Sequence, residues 1–558
     1  MRTMIVLLMV LLASTTGAVS SGDEKGYSFD VLIRGGRIID GTGNPWFVGD
    51  VGIKGDRIVA VGRQLMGESI RTIDGTGRFV SPGFIDIHSH SDLLLFEDGD
   101  APSKIRQGVT TEVLGEGESS GPYVGQLSPH GAVIAGQRVT WTTLGEYFDL
   151  LEKSQVAVNV ASYVGLNNVW QSVMGSRFDR PNADELDQMR NLVDQAMQQG
   201  ALGLSSQVMM PPGSLATTEE ITELCRVVAT HNGIYSTHIR NEGTGVFAAV
   251  QEAIDIAEHA GVPVDIIHLK IADQQLWGKM PDVVEVIESA RRRGVNVQAN
   301  VYPYTRGNNN LVSIIPPWAH EGGKAKLLER LRNPADRERL KRDIRQETPG
   351  WYNHLLAVGE DWSRILVSGD NRFKGLTMDR VFELRRQGQP PRDPLDELFD
   401  ILIEEEGSVG AVYAHHREDD MLTALRQPWC SVGSDGSAYA ISGTLRRGAP
   451  HPRNFGTFPR VLGVYVRERQ LLSWEEAIRK ITSQNALKIG LQNRGLLRAG
   501  YFADVTVFDP ATIKDLATYE DPFHYNVGIE TVIVNGHIVL DSGEPTHAKP
   551  GRALRLAK

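Results

Sequence analysis

The sequence predicts an α/β protein: a TIM-type (β/α)8 barrel with a small β-sandwich domain built from both chain ends. Three observations lead there. The middle of the chain alternates short apolar runs with amphipathic helical stretches, the pattern of parallel α/β architecture. Both ends carry alternating apolar residues broken by Gly-Gly, Gly-Asp and Asn-Gly turns, the pattern of hairpins. The length, 558 residues, exceeds what one hydrophobic core sustains unless a large barrel bears appended structure.

The elements come in order along the chain. Arg2, an apolar run from Met4 to Ala13 and the small residues ending at Ala18-Val19-Ser20 fit the three regions of a secretory signal, placed at 1–20. The run is too short to span a bilayer stably. FDVLIRGGRIID (Phe29 to Asp40), GDVGIKGDRIVAVG (Gly49 to Gly62) and RTIDGTGRFVSPG (Arg71 to Gly83) form the first part of the sandwich, 27–82. The barrel is expected over 83–490. Its strands fall at Thr111 to Leu114, Val156 to Val164, Ala201 to Ser205, Gly233 to Ile239, Val264 to Leu269, Val295 to Tyr302 and Cys430 to Gly433. Helices are expected at Ala183 to Gln199, Glu219 to His231, Val246 to His259 and Pro281 to Arg293. A stretch rich in charge and proline, about Trp318 to Leu425, breaks the rhythm and reads as an insertion over the barrel mouth. GYFADVTVFDP (Gly500 to Pro510) and ETVIVNGHIVLDSG (Glu530 to Gly543) complete the sandwich within 491–558.

Composition narrows the function. With 41% hydrophobic and 23% charged residues the chain is an ordinary folded protein. A formal charge of -11 leaves no basic stripe for nucleic acid, so a small-molecule substrate is expected. After signal cleavage no segment approaches transmembrane length, which predicts export to the periplasm or medium. Cys225 and Cys430 sit in apolar contexts typical of buried thiols, and no bridge is expected.

The chemistry gathers at strand ends. In FVSPGFIDIHSH (Phe79 to His90), His88 and His90 stand at i and i+2, which in a strand puts both imidazoles on one face. Imidazole suits zinc and its neighbours. GIYSTHIRNE places His238, VDIIHLK places His268 and CSVGSDG places Asp435 where apolar strands stop. A single such histidine is more often a hydrogen-bonded core group. Four of them and an aspartate, all at strand termini, make a metal site the better reading, because barrel enzymes build their sites there.

With GGRIIDGTGNPWFVGDVGIKGDRI, PGFIDIHSHSD, QGVTTEVLGEG, GALGLSS, STHIRNEG, IIHLK with WGK after it, YPY, SDGS, HPRNFGTFPR and GYFADVTVFDP in place, the chain resembles the amidohydrolase superfamily. Within it, the chain resembles the N-acyl-D-amino-acid deacylases (D-aminoacylases), from about Phe29 to Val539. The resemblance implies a barrel enzyme holding one or two zinc ions, with His88 and His90 on the more labile metal, His238 and His268 on the tighter one, and Asp435 at the metal-bound water. The family commonly uses a cysteine at the end of the second strand. This chain reads Gly115-Glu116-Gly117-Glu118. Glu116 is taken as the ligand in its place, with Glu118 as the alternative. Carboxylate oxygen is harder than thiolate, which affects metal preference.

The resemblance implies attack by metal-bound hydroxide on an acyl carbonyl, Asp435 serving first as base and then as acid to the departing amine. It assigns the substrate carboxylate to Lys270, Tyr302, Asn308 and Arg453, of which Lys and Arg suit an anion physically. Leu166, Trp170 and Asn300 depart from the family pattern and bear on substrate detail. No G-x-S-x-G elbow appears, and GALGLSSQV lacks the lysine that carbamate-bridged relatives use. The competing readings are another amidohydrolase, a dipeptidase or cyclic-amide hydrolase, and a non-catalytic binding protein on the same fold.

Overall fold

The computed structural model describes residues 27–134 and 136–556. The expected signal, 1–20, lies outside the described residues. Eight parallel strands form the barrel: β1 (Phe84–Asp86), β2 (Val109–Leu114), β3 (Asn159–Ser162, resuming at Val164–Gly165), β4 (Gly203–Gln207), β5 (Ile234–His238), β6 (Val264–Ile266), β7 (Val297–Val301) and β8 (Cys430–Val432). Each pairs in parallel with the next from β1 through β8. Nearly all their residues are buried, as expected where both faces are covered, and apolar positions are interleaved with buried polar ones such as Glu112, Asn159, Ser236 and Asp265.

The helices between strands lie within a residue or two of their expected ends: Ala183–Gln198, Thr218–Thr230, Val246–Ala260 and Met280–Arg292. The starts of the first two are set by capping boxes, Asn182 with Glu185 and Thr217 with Glu220, which satisfy backbone donors that the helix leaves open. Val193, Leu224, Val250 and Ile287 of these helices join the barrel strands in one core.

Both chain ends enter one nine-stranded sheet. The strand Val505–Phe508 pairs antiparallel with Phe79–Pro82, which pairs with Tyr27–Ile38. Ile33, Val51, Ile58, Val80, Val505 and Ile533 form its separate core. The sequence-distant ends therefore close the fold together, just before β1 leaves for the barrel.

The insertion is displaced from its expected bounds. Its own apolar core runs from Leu311 to Tyr413, and a three-stranded antiparallel sheet, Gly307–Asn310, Ile365–Val367 and Gly410–Tyr413, binds its two ends together. The helix Glu418–Leu425, expected within it, instead buries Met421, Leu422 and Leu425 in the barrel core. Strands of three or four residues, one reading GNNN, carry no alternation from which a boundary could be read. Cys225 and Cys430 are buried and free.

Candidate metal centre

Every expected ligand emerges at the C-terminal end of a barrel strand, and the local backbone turns each one inward. His268 and Asp435 take left-handed conformations, φ 39° and 52°, which side chains adopt at a cost of about 1–3 kcal/mol. Neighbours hold them there: the His268 N–H donates to Asn300 Oδ1 at 3.0 Å, and the Asp435 N–H donates to His88 O at 2.8 Å. Gly433 is required beside them, since a Cβ there would lie 2.9 Å from His88 Cβ.

The donor atoms converge. His88 Nε2 and His90 Nε2 are 3.2 Å apart. Asp435 Oδ1 lies 3.1 Å from His90 Nε2 and 3.7 Å from His88 Nε2. Glu116 Oε2 lies 3.9 Å from each histidine nitrogen. Ligands about 2.0–2.1 Å from a tetrahedral ion stand about 3.4 Å from one another, so these spacings fit one divalent cation. Glu116 Oε1 is buried with no hydrogen-bond partner, a costly arrangement for a carboxylate unless a cation satisfies it. The donor set of two imidazoles and two carboxylates suits zinc. His268 extends the cluster, its Nε2 4.0 Å from Asp435 Oδ2, and its ring lies 4.5 Å from that of His238, centre to centre.

Charge is tuned accordingly. Burial alone would raise the pKa of Asp435, but Arg453 and the histidines around it outweigh burial and hold the carboxyl well below the usual range. The Arg453 Nη1 to Asp435 Oδ2 distance is 2.9 Å. Glu116, likewise opposed by burial, is held down to about 2 by His88, His90 and His238. Burial first and Lys270 second push His268 down to about 3, which keeps it neutral and able to ligate.

A cavity of about 850 Å³ opens over this centre, lined by His90, Glu116, His238, His268, Asp435, Asn308 and Arg453 among others. Of the two carboxylates left open by the sequence, Glu116 faces His88 and His90, whereas Glu118 is an exposed residue of the cavity wall. Asn308 sits on the insertion's first strand, its Oδ1 accepting from Ser368 Oγ at 3.0 Å. Leu166 and Trp170 are fully buried.

Of the residues expected to hold a substrate carboxylate, Asn308 and Arg453 line this cavity. Lys270 and Tyr302 are buried, 6% and 4% exposed, as are the cavity-lining His268 and Arg453 at 5% and 4%. The ammonium of Lys270 donates to Glu242 Oε1 at 2.5 Å and lies 2.8 Å from His268 Nδ1, because a buried cation must find a counter-charge. Tyr302 is flanked by Lys270 and Arg453, 5.7 and 4.8 Å from its ring centre. Glu242, 3.1 Å from His268 Nδ1, was not singled out from the sequence. It stands four residues after His238 in the THIRNE motif, but the partner that gives it meaning lies 28 residues further on. His238, Glu242 and His268 also gather as donors, with Lys270 against Glu242 and the Nδ1 side of His268.

The chain is similar to known proteins over most of its length. The pattern of the amidohydrolase family matches residues 71–303 and 423–540. The chain is 35% identical over 532 residues to a D-aminoacylase of Alcaligenes xylosoxydans xylosoxydans, covering 94% of this chain and 97% of the relative. It is 34% identical to an N-acyl-D-glutamate deacylase of the same organism, covering 94% and 96%. The crystal structure of N-acyl-D-glutamate deacylase from Bordetella bronchiseptica, complexed with zinc and a phosphonate mimic of the tetrahedral intermediate, superposes with a TM-score of 0.78 at 31% identity, covering 95% of this chain and 100% of that one.

Proposed function

This chain belongs to the amidohydrolase family, and on that premise we propose that it is a zinc-dependent deacylase that hydrolyses the amide bond of N-acyl-D-amino acids. The observation that carries the reading is the convergence of His88, His90, Glu116 and Asp435 on one point, with donor spacings of 3.1–3.9 Å, at the floor of a substrate-sized cavity. His88, His90, Glu116, His238, His268 and Asp435 are the residues to hold one or two ions. A zinc ion bound there supplies Lewis acidity and lowers the pKa of a coordinated water toward neutrality.

The chain's own groups do the rest. Asp435, ionised and held by Arg453, accepts the proton of the attacking water at its carboxylate, then delivers it to the amide nitrogen so that the amine leaves neutral. One carboxylate serves both steps because the two transfers occur in sequence. Arg453 lines the cavity beside the reacting centre and offers further guanidinium N–H groups to the substrate carboxylate, with Asn308 lining the same cavity. Lys270 and Tyr302 complete this arrangement: the lysine is held against Glu242 and His268, and the tyrosine ring packs against Arg453.

The test is a panel of matched N-acetyl-D and N-acetyl-L amino acids given to zinc-loaded protein, with free amine as readout. Hydrolysis of D members with little or none of the L members is expected. Absence of hydrolysis across the D series, or equal rates on both series, overturns the reading. Export is part of the proposal, supported by residues 2–20. It predicts a mature N-terminus near Ser21, to be read by mass spectrometry of protein recovered outside the cytoplasm.

A further inference from the structure

Between β1 and β8 the barrel has no continuous ladder. The described residues carry one isolated bridge there, Ser89 to Gly436, and two backbone bonds: the Asp435 N–H to His88 O at 2.8 Å and the His90 N–H to Gly436 O at 2.9 Å. This seam is the line across which His88 and His90 face Asp435. A shift along it would change the ligand spacings directly.

Beneath the seam lies a sealed polar cluster. Lys104, Asp86, Glu112, Ser89, Ser91 and Ser434 are all fully buried. The Lys104 ammonium, carried by the short helix Pro102–Ile105, reaches acceptors on both sides: Asp86 Oδ2 at 2.7 Å and Ser89 Oγ at 2.9 Å from the β1 side, Ser434 Oγ and Gly436 O at 3.1 Å each from the β8 side. Asp86 also accepts across the seam, from the Ser434 N–H at 2.8 Å and its hydroxyl at 2.5 Å. Glu112 on β2 accepts from the Ser89 and Ser91 hydroxyls at 2.5 Å each. The cluster is far more than core satisfaction requires of one lysine, and its bonds run across the gap between β1 and β8.

We propose that Lys104 is a positioning residue: with Asp86 and Glu112 it takes the place of the missing ladder and fixes the distance between the His88/His90 pair and Asp435. It reaches no substrate and no donor atom of the centre. Its effect passes through Ser89, which sits between the two histidines, and through Ser434 and Gly436, which bracket Asp435. The proposal rests on the reading of those residues as a metal centre.

Three variants test it. Lys104→Met removes the pin and leaves two buried carboxylates without their cation, so that variant can fail to fold. Ser434→Ala removes the hydroxyl's bonds to Lys104, to Asp86 across the seam and to the Gly436 N–H, and no charge. Lys480→Met is the control, another fully buried lysine, bound instead to the carbonyls of Gln427 and Cys430. Zinc affinity by chelator competition should fall about ten- to a hundredfold in Ser434→Ala and in any folded Lys104→Met, the scale on which groups supporting ligands act. The visible spectrum of the cobalt-substituted protein should shift, and kcat should fall while KM holds. Lys480→Met should lower the Tm and move none of these. Wild-type affinity and spectrum in folded Ser434→Ala overturn the proposal, as does an equal change in Lys480→Met. A wild-type protein that binds no metal overturns the underlying metal-centre reading instead.

Discussion

His88 and His90 lie just beyond β1, while His238 and His268 lie at the ends of β5 and β6, and the neighbours of each pair differ. Beside the first pair are two carboxylates, Glu116 and Asp435, with no cation among the four groups closer than Arg453 on the far oxygen of Asp435. Beside the second pair, Lys270 is paired with Glu242, and both lie against His268 Nδ1. The same residue type at the same kind of strand end thus faces Glu116, which has no lysine or arginine paired with it among the described residues, in one case, and Glu242, paired with Lys270, in the other. His268 takes part in both: its Nε2 faces Asp435, and its Nδ1 faces Lys270 and Glu242. The charge left unbalanced between side chains, more than the histidine count, marks where a cation belongs.

Stripping the metal is the hardest test of that contrast. Dialysis against chelator should abolish turnover, and zinc should restore it; full activity in metal-free protein, verified by elemental analysis, would break the comparison outright. Next comes the anion itself. Glu116→Ala should release metal, Glu116→Cys should retain more than the alanine variant, and Glu118→Ala should retain nearly all. Metal loss confined to Glu118→Ala would move the ligand to the exposed carboxylate.

Asp435→Asn should keep the fold and most of the metal while lowering kcat by at least about a hundredfold, the usual scale for a general acid-base group. Near wild-type turnover would assign the proton to another residue. Arg453→Ala separates two tasks, since the guanidinium both contacts Asp435 and reaches the cavity. Losing a charge-assisted hydrogen bond costs about 1.5–3 kcal/mol. Catalytic efficiency on an N-acyl-D-amino acid should therefore fall about ten- to two-hundredfold further than on the matching carboxamide. Equal losses on both would confine Arg453 to Asp435.

The smallest effect sharpens the second pair. Glu242→Gln keeps an acceptor for His268 but leaves Lys270 without its anion, and should weaken metal binding by about ten- to a hundredfold, as loss of a carboxylate behind a ligating histidine does. Unchanged affinity would mean that Glu242 serves only to neutralise Lys270.

The strand-end histidines, Asp435 and the barrel around them were legible from the chain because they depend on local order. An apolar run of four to six residues makes a buried strand, and the residues just past its last apolar position stand at the barrel mouth. The helices were legible for the same reason, through their period. Contacts decided the rest. Glu116 and Glu118 flank one glycine, and only the backbone turn at Gly115 and Gly117, both left-handed, sends one inward and leaves the other exposed. That Lys270 is paired with Glu242 shows only once the two strand ends meet. The insertion's limits depended on which core each helix entered, and the seam on bonds between residues as far apart as Asp86 and Ser434. Sequence pattern determines elements because hydrophobic periodicity is local. Charge compensation and register across the seam belong to side chains that meet only once the barrel has closed, so only the tertiary structure could assign them.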